Sequence, residues 1–189
     1  MKFVFVDCEY TSTHAKTTLV SIGLVTYGGK ELYLTLNDYD KDQLSDWVKE
    51  NVIIYIDESK SISTKQAVKE ISNFLEEYSE GEKVSIVSAG KSVDVTLLFQ
   101  MWHSLHPELK YFSFERYLPT YLRHRSHFDL DTIFFCKGLD PDAINRESFA
   151  GEIKNIKKHD ALYDANVVRK CFIKLQQEEI ASQGAMKLV

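Results

Sequence analysis

The chain has 189 residues, 44% of them hydrophobic and 27% charged, proportions that exclude a disordered or fibrous protein and match the usual size of one domain. A chain of this length buries roughly 70% of its unfolded surface, so its core needs neither disulfides nor a structural metal. The 23 Lys and Arg against 28 Asp and Glu leave a net charge of -5, which excludes coating of nucleic acid by bulk electrostatics but not a local basic groove.

The opening MKFVFVDCEY has only four apolar residues before Asp7, too few for a secretory core or a membrane span, so a cytoplasmic protein without membrane attachment is expected. Lys2 to Val6 reads as a strand. Thr17 to Tyr27 reads as a longer one ending at Gly28-Gly29, a strong turn signal, with Lys30 to Leu36 as its hairpin partner. Helical spacing follows over Asp40 to Glu50 and over Thr64 to Tyr78, where Val68, Ile71 and Leu75 share a face. Val84 to Val87 is a short buried strand, and Ser92 to Ser104 reads as helix. Pro107 to Pro119 is aromatic and irregular, Asp131 to Cys136 is ambiguous between strand and helix, and Asp160 to about Ala181 is a long final helix. Strands first, then alternating helix and strand, predict an α/β domain with a mixed central sheet. No Gly- or Ser-rich linker and no repeat interrupts it, so residues 1–189 read as a single domain. Three cysteines without paired spacing, Cys8, Cys136 and Cys171, suit reduced thiols.

Four acids stand where acids are costly. Side chains on a strand alternate faces, so Asp7 and Glu9 project from the same side as Phe3 and Phe5; alone, the pair also fits a solvated turn. Asp94 shares its helical stripe with Leu98, Met101 and Leu105, the face that should pack on the sheet. It is either a first-turn acid satisfied by free N-H groups or part of a site. Asp164 borders the stripe formed by Ala161, Ala165, Val168, Phe172 and Leu175. Two carboxylates about 4 Å apart repel by roughly 4 kcal/mol at an effective dielectric of 20, and hard divalent cations such as Mg²⁺ and Mn²⁺ relieve that repulsion through oxygen ligands. Zinc, which favours His and Cys, fits such a set poorly. His159, just ahead of the last helix, could take a proton from water near neutral pH, or it could be a solvent-facing residue or a cap.

The order D-x-E (Asp7, Glu9), Asp94 after a short strand, then H-x-x-x-x-D (His159, Asp164) resembles the DEDDh exonucleases of the RNase H-like superfamily. The strings FVDCEY, VSAGKSVDVTLLF and KHDALYDANVVR carry the likeness. LSDWVKENV, residues 44–52, is similar to a W-V-x-x-N-V segment of the small mycobacterial-type exoribonuclease family, which also includes a T4-type phage exonuclease A. The resemblance runs from Lys2 to about Arg169, with Asp160 a departure where many relatives carry Asn or another residue.

The resemblance implies an RNase H-like fold over residues 1–189, a single DEDDh exonuclease domain with antiparallel opening strands and flanking helices. It implies metal-dependent 3'-5' exonuclease activity on single-stranded ends or 3' overhangs, releasing nucleoside 5'-monophosphates. Two Mg²⁺, with Mn²⁺ as substitute, would be held by Asp7, Glu9, Asp94 and Asp164, with His159 as general base. RNA is the first expectation for substrate; a DNA exonuclease, or a non-catalytic nucleic-acid-binding module on the same fold, is the alternative. Assembly into a homo-oligomer stays open.

For substrate binding, Tyr10 directly follows the acid pair. Arg116 to Phe128 interleaves Arg123 and Arg125 with Tyr117, Tyr121 and Phe128, the composition of a single-strand groove or of a basic surface over core aromatics. Trp47, Val52, Met101 and Trp102 read as core residues, and Cys8, on the opposite strand face from the acids, as a buried thiol.

Overall fold

Three antiparallel strands open the chain, as the β-rich runs and the Gly28-Gly29 turn predict: β1 (Lys2–Tyr10), β2 (Leu19–Thr26) and β3 (Glu31–Thr35). Then follow α1 (Asp46–Asn51), α2 (Thr64–Ser79), β4 (Val84–Ser88), α3 (Val93–Met101), α4 (Phe114–Tyr117), β5 (Leu122–Asp129), α5 (Leu130–Cys136), α6 (Arg146–Ala150) and α7 (Ala161–Met186). The computed structural model describes residues 1–90, 93–151 and 159–186, with only the backbone described for 123–126 and 178–186. The five strands form one mixed sheet in the order β3-β2-β1-β4-β5, in which β4 runs parallel to both β1 and β5. The expected mixed α/β architecture is met.

Local signals explain where elements start. Ser63 and Gln66 form a capping box that opens α2, satisfying N-H groups that the first turn leaves unpaired. Ser45 caps α1, accepting from the Val48 N-H, so the helix expected from Asp40 occupies only its second half; Lys41–Gln43 is a separate 3-10 turn. Asp129 resolves the ambiguous segment after it into a helix by accepting the N-H groups of Asp131 and Thr132. Two elements carry no readable period in the sequence. β5 lies at the sheet edge, where charged residues blur the alternation of a strand, and α6 is a five-residue helix capped by Asn145.

The alternation of β1 divides the interior in two. Val4, Val6 and Cys8 join Val68, Ile71 and Leu75 of α2 and Leu98 of α3 in one core, while Phe5 joins Leu130 and Phe134 of α5 and Val168 and Phe172 of α7 on the opposite face. Asp7 and Glu9 continue the Phe5 row, so their side chains meet the face that α7 covers. No helix among the described residues is long and apolar enough to cross a membrane.

Gly23 controls how closely α7 approaches. It sits in β2 directly opposite Asp7, and a Cβ built there would overlap the Ala161 carbonyl and the Leu162 Cα at the start of α7. Without a side chain at position 23, the first turn of α7 rests on the sheet backbone, and Asp164 follows one turn later. Gly23→Ala should therefore cost about 1–3 kcal/mol in urea unfolding, since the obstacle is backbone and cannot rotate away. Gly28→Ala, where a Cβ meets open space, should change stability by less than about 0.5 kcal/mol.

Candidate active site

Asp7 and Glu9 stand beyond Phe5, the last β1 residue paired with β4, while still paired with Gly23 and Ser21 of β2. The two parallel strands have parted there, and the crevice at the carboxyl ends of parallel strands is where α/β folds place ligands. Two helices deliver the remaining acids. The chain leaves β4, crosses Ala89 and Gly90, and places Asp94 in the first turn of α3; Asp164 lies in the first turn of α7.

Asp7, Glu9, Tyr10, Trp47, Asp94 and Asp164 line one cavity of about 460 Å³. Carboxylate oxygens of Asp7, Glu9 and Asp164 lie within 4.8 Å of one another, all three residues half-buried. Asp94 is only 5% exposed and completes the wall of the same cavity. The four acids expected to converge from three separate stretches of chain thus share one chamber.

At such separations each like-charged pair repels by roughly 3 kcal/mol at an effective dielectric of 20. Burial, then the charges of Asp94, Asp164 and Glu9, drive the Asp7 carboxyl well above the usual range, with the Arg146 guanidinium opposing them. Glu9 is pushed up to about 7 by burial and then by Asp164, Asp94 and Asp160. Clustered carboxylate oxygens held close enough to perturb one another form a donor set suited to a hard divalent cation.

Cys8 turns to the other face, as expected. Its thiol lies 3.7 Å from the Asp94 carbonyl, to which it donates, and burial followed by the charges of Asp94, Asp7 and Glu9 pushes its pKa well up. It remains a protonated thiol that ties β1 to the start of α3. Asp160 caps α7 by accepting the N-H groups of Leu162 and Tyr163.

His159 adopts a positive φ of 60° immediately before that cap. It is exposed, and its ring stands edge-on to the indole of Trp47, with centroids 4.7 Å apart. Trp47 corrects the sequence reading: it is 50% exposed and lines the acid cavity, whereas Val52, read with it as core, is buried. In a six-residue helix opened by Ser45, Val48 takes the inward position, so its neighbour in sequence must face outward. The likeness of the LSDWVKENV string was the available signal.

Tyr10 lines the cavity beside Glu9. The side chains of Arg123 and Arg125 lie outside the described residues. The aromatic residues read alongside them are engaged elsewhere: Tyr121 donates to the Ser72 carbonyl, Phe128 packs edge-on against Phe3, and Tyr117 packs on Phe112.

The raised carboxyl of Glu9 has a definite sign in stability. Between its ordinary value of 4.5 and about 7, the unfolded chain loses a proton that the folded chain retains, so metal-free stability declines as pH rises through this window. In EDTA the melting temperature should be lower at about pH 8 than at about pH 5.5, the Glu9 share of that difference being roughly 2 kcal/mol. Glu9→Gln should flatten this slope, and Mg²⁺ or Mn²⁺ should raise the melting temperature mainly at the higher pH. Differential scanning calorimetry reads all three.

The family model for the 3'-5' exoribonuclease Rv2179c-like domain matches residues 2–176. No curated protein sequence matches the chain at a significant level. Among solved structures, the zinc-bound complex of E. coli ExoI with single-stranded DNA is similar with a TM-score of 0.59 at 14% identity, over 100% of this chain and 45% of that one. At that identity the likeness shows the fold, an RNase H-like α/β sheet, and the chain spans less than half of that protein's length. The family match takes in the whole sheet, all four acids and His159, and the chain therefore belongs to the Rv2179c-like 3'-5' exoribonuclease domain family.

Proposed function

We propose that this chain is a divalent-metal-dependent 3'-5' exonuclease that removes nucleotides one at a time from single-stranded ends or 3' overhangs, with RNA as its preferred substrate. The observation that carries the reading is the convergence of Asp7, Glu9 and Asp164 within 4.8 Å, with Asp94 in the same cavity, in a member of an exoribonuclease-domain family. The name of that family favours RNA; the single-stranded DNA held by ExoI keeps DNA as the second substrate to be tested.

Asp7, Glu9, Asp94 and Asp164 would hold two Mg²⁺ or Mn²⁺ ions. When bound, such ions acidify water and neutralise charge on a phosphodiester. His159 accepts the proton of the attacking water, its ring steadied by the edge of Trp47. The water oxygen bonds to phosphorus as the bond to the upstream 3' oxygen breaks; that oxygen takes a proton from solvent, leaving a shortened strand with a 3'-hydroxyl and a nucleoside 5'-monophosphate. Tyr10 and the exposed face of Trp47 offer aromatic surface for the terminal nucleoside, and Arg123 and Arg125 are proposed as contacts to the strand. The domain is read as the whole of residues 1–189.

End-labelled single-stranded RNA, matched DNA and duplexes with 3' overhangs, incubated with Mg²⁺, Mn²⁺ or EDTA, test this directly. A ladder shortening from the 3' end, abolished by EDTA and by Asp7→Asn with the fold intact, is expected; cleavage that persists in either case would overturn the assignment. His159→Ala should slow hydrolysis by roughly 10²- to 10⁴-fold, and its rate should lose the pH dependence contributed by an imidazole. Trp47→Ala should weaken substrate binding by about 5- to 100-fold, the range for a lost stacking surface.

A further inference from the structure

The acids sit at the junction of two cavities. Asp7, Ala89 and Asp164 line the chamber that holds Trp47 and also a second one of about 560 Å³, walled by Asn145, Arg146, Val167 and Val168. Among the described residues lining either cavity, Arg146 is the one cation. The second cavity also carries Asp142 and Glu147, so a phosphate entering it meets carboxylates on the rim as well as at the centre. Each such pair repels by about 1–4 kcal/mol depending on the local dielectric. A polyanion can occupy this wall only where a cation offsets that repulsion.

Arg146 is held for such a task. Its Nη2 lies 2.6 Å from both carboxylate oxygens of Asp131, and the side chain remains 35% exposed. These two bonds use a single nitrogen of a guanidinium that carries five N-H donors in a fixed plane. The pair is closely backed: Gly90, at φ 76°, lies where a Cβ would meet the Asp131 carboxylate and crowd Arg146, and its N-H donates to Asp129, the cap of α5. A strand whose terminal phosphodiester lies at Asp7 extends both ways from it. One side must take the terminal nucleoside, the other the preceding nucleotide. Aromatic surface lies on the Trp47 side and the cation on the other.

We propose that Arg146 binds the phosphodiester one step upstream of the scissile one, in a strand whose terminal nucleoside occupies the Trp47 cavity. This assignment rests on the exonuclease reading and adds a polarity to it: the 5' part of the strand leaves across α6.

Two probes separate the possibilities. Single-stranded oligonucleotides carry the upstream phosphate; the p-nitrophenyl esters of uridine and thymidine 5'-monophosphate carry a terminal nucleoside and a scissile phosphate without it. Arg146→Gln should raise KM for oligonucleotides by about 10- to 100-fold, as expected for a lost charge-assisted contact. It should also make the dependence of log KM on log salt shallower by about 0.7, the value for one phosphate contact on a single strand, while ester hydrolysis, which reads only the charge effect of Arg146 on Asp7, changes far less. Arg146→Lys, which keeps the charge but not the planar fork, should preserve the salt dependence with an intermediate KM. An unchanged oligonucleotide KM and salt dependence would overturn the contact. So would ester hydrolysis falling in parallel in both variants, since that marks damage to the acid centre or the fold. Wild-type protein inactive on both probes with Mg²⁺ or Mn²⁺ would overturn the exonuclease reading itself, a result distinguishable from failure of the Arg146 assignment alone.

Discussion

Mutual repulsion among carboxylates at the end of β1 is the constraint around which the molecule is organised. Asp7, Glu9 and Asp164 bring oxygens within 4.8 Å of one another, and burial drives the Asp7 and Glu9 carboxyls upward before neighbouring charges add to the shift. A protein selected for stability alone would separate such groups or replace them with apolar ones. Their retention stores unfavourable electrostatic energy that a divalent cation bound there would release, which would link metal binding to folding.

The scaffold withstands this strain because the acids sit on elements anchored elsewhere. β1 is central in the sheet, and Val4, Phe5 and Val6 are fully buried just before the first acid. α7 is pinned along β1 and β2 by Val168, Phe172 and Leu175, and Gly23 lets its first turn descend to the level of Asp7. The Cys8 thiol, donating to the Asp94 carbonyl, ties the third acid-bearing element to the strand that carries the first two. Removing the charge of a single acid therefore leaves the packing in place.

Chemistry differs on the two sides of the acids. One cavity is faced by the rings of Tyr10 and Trp47, with His159 edge-on to the indole; the other holds Arg146 braced by Asp131 and backed by Gly90. A nucleic acid strand has the same duality, with flat bases to stack and phosphates to neutralise. Under the proposed reading, such a division would give a strand one favourable direction through the site.

By itself the sequence determined the strands β1 to β4, the helices α2 and α7, and the faces on which the acids would project. Side-chain alternation on a strand and three- to four-residue spacing on a helix are local properties that a single chain displays. It also singled out Asp7, Glu9, Asp94, Asp164 and His159, because acids on apolar faces and their order along the chain are readable one residue at a time. Tertiary structure alone decided that these acids share one cavity, that Trp47 faces that cavity and not the core, and that Arg146 stands across from it. Each of these depends on how elements distant in sequence approach one another: α7 on Gly23, α1 beside His159, α6 against Asp131. Edge strand β5 and the short helix α6 stayed illegible because charged edge positions and five-residue helices lack the periodicity from which elements are recognised.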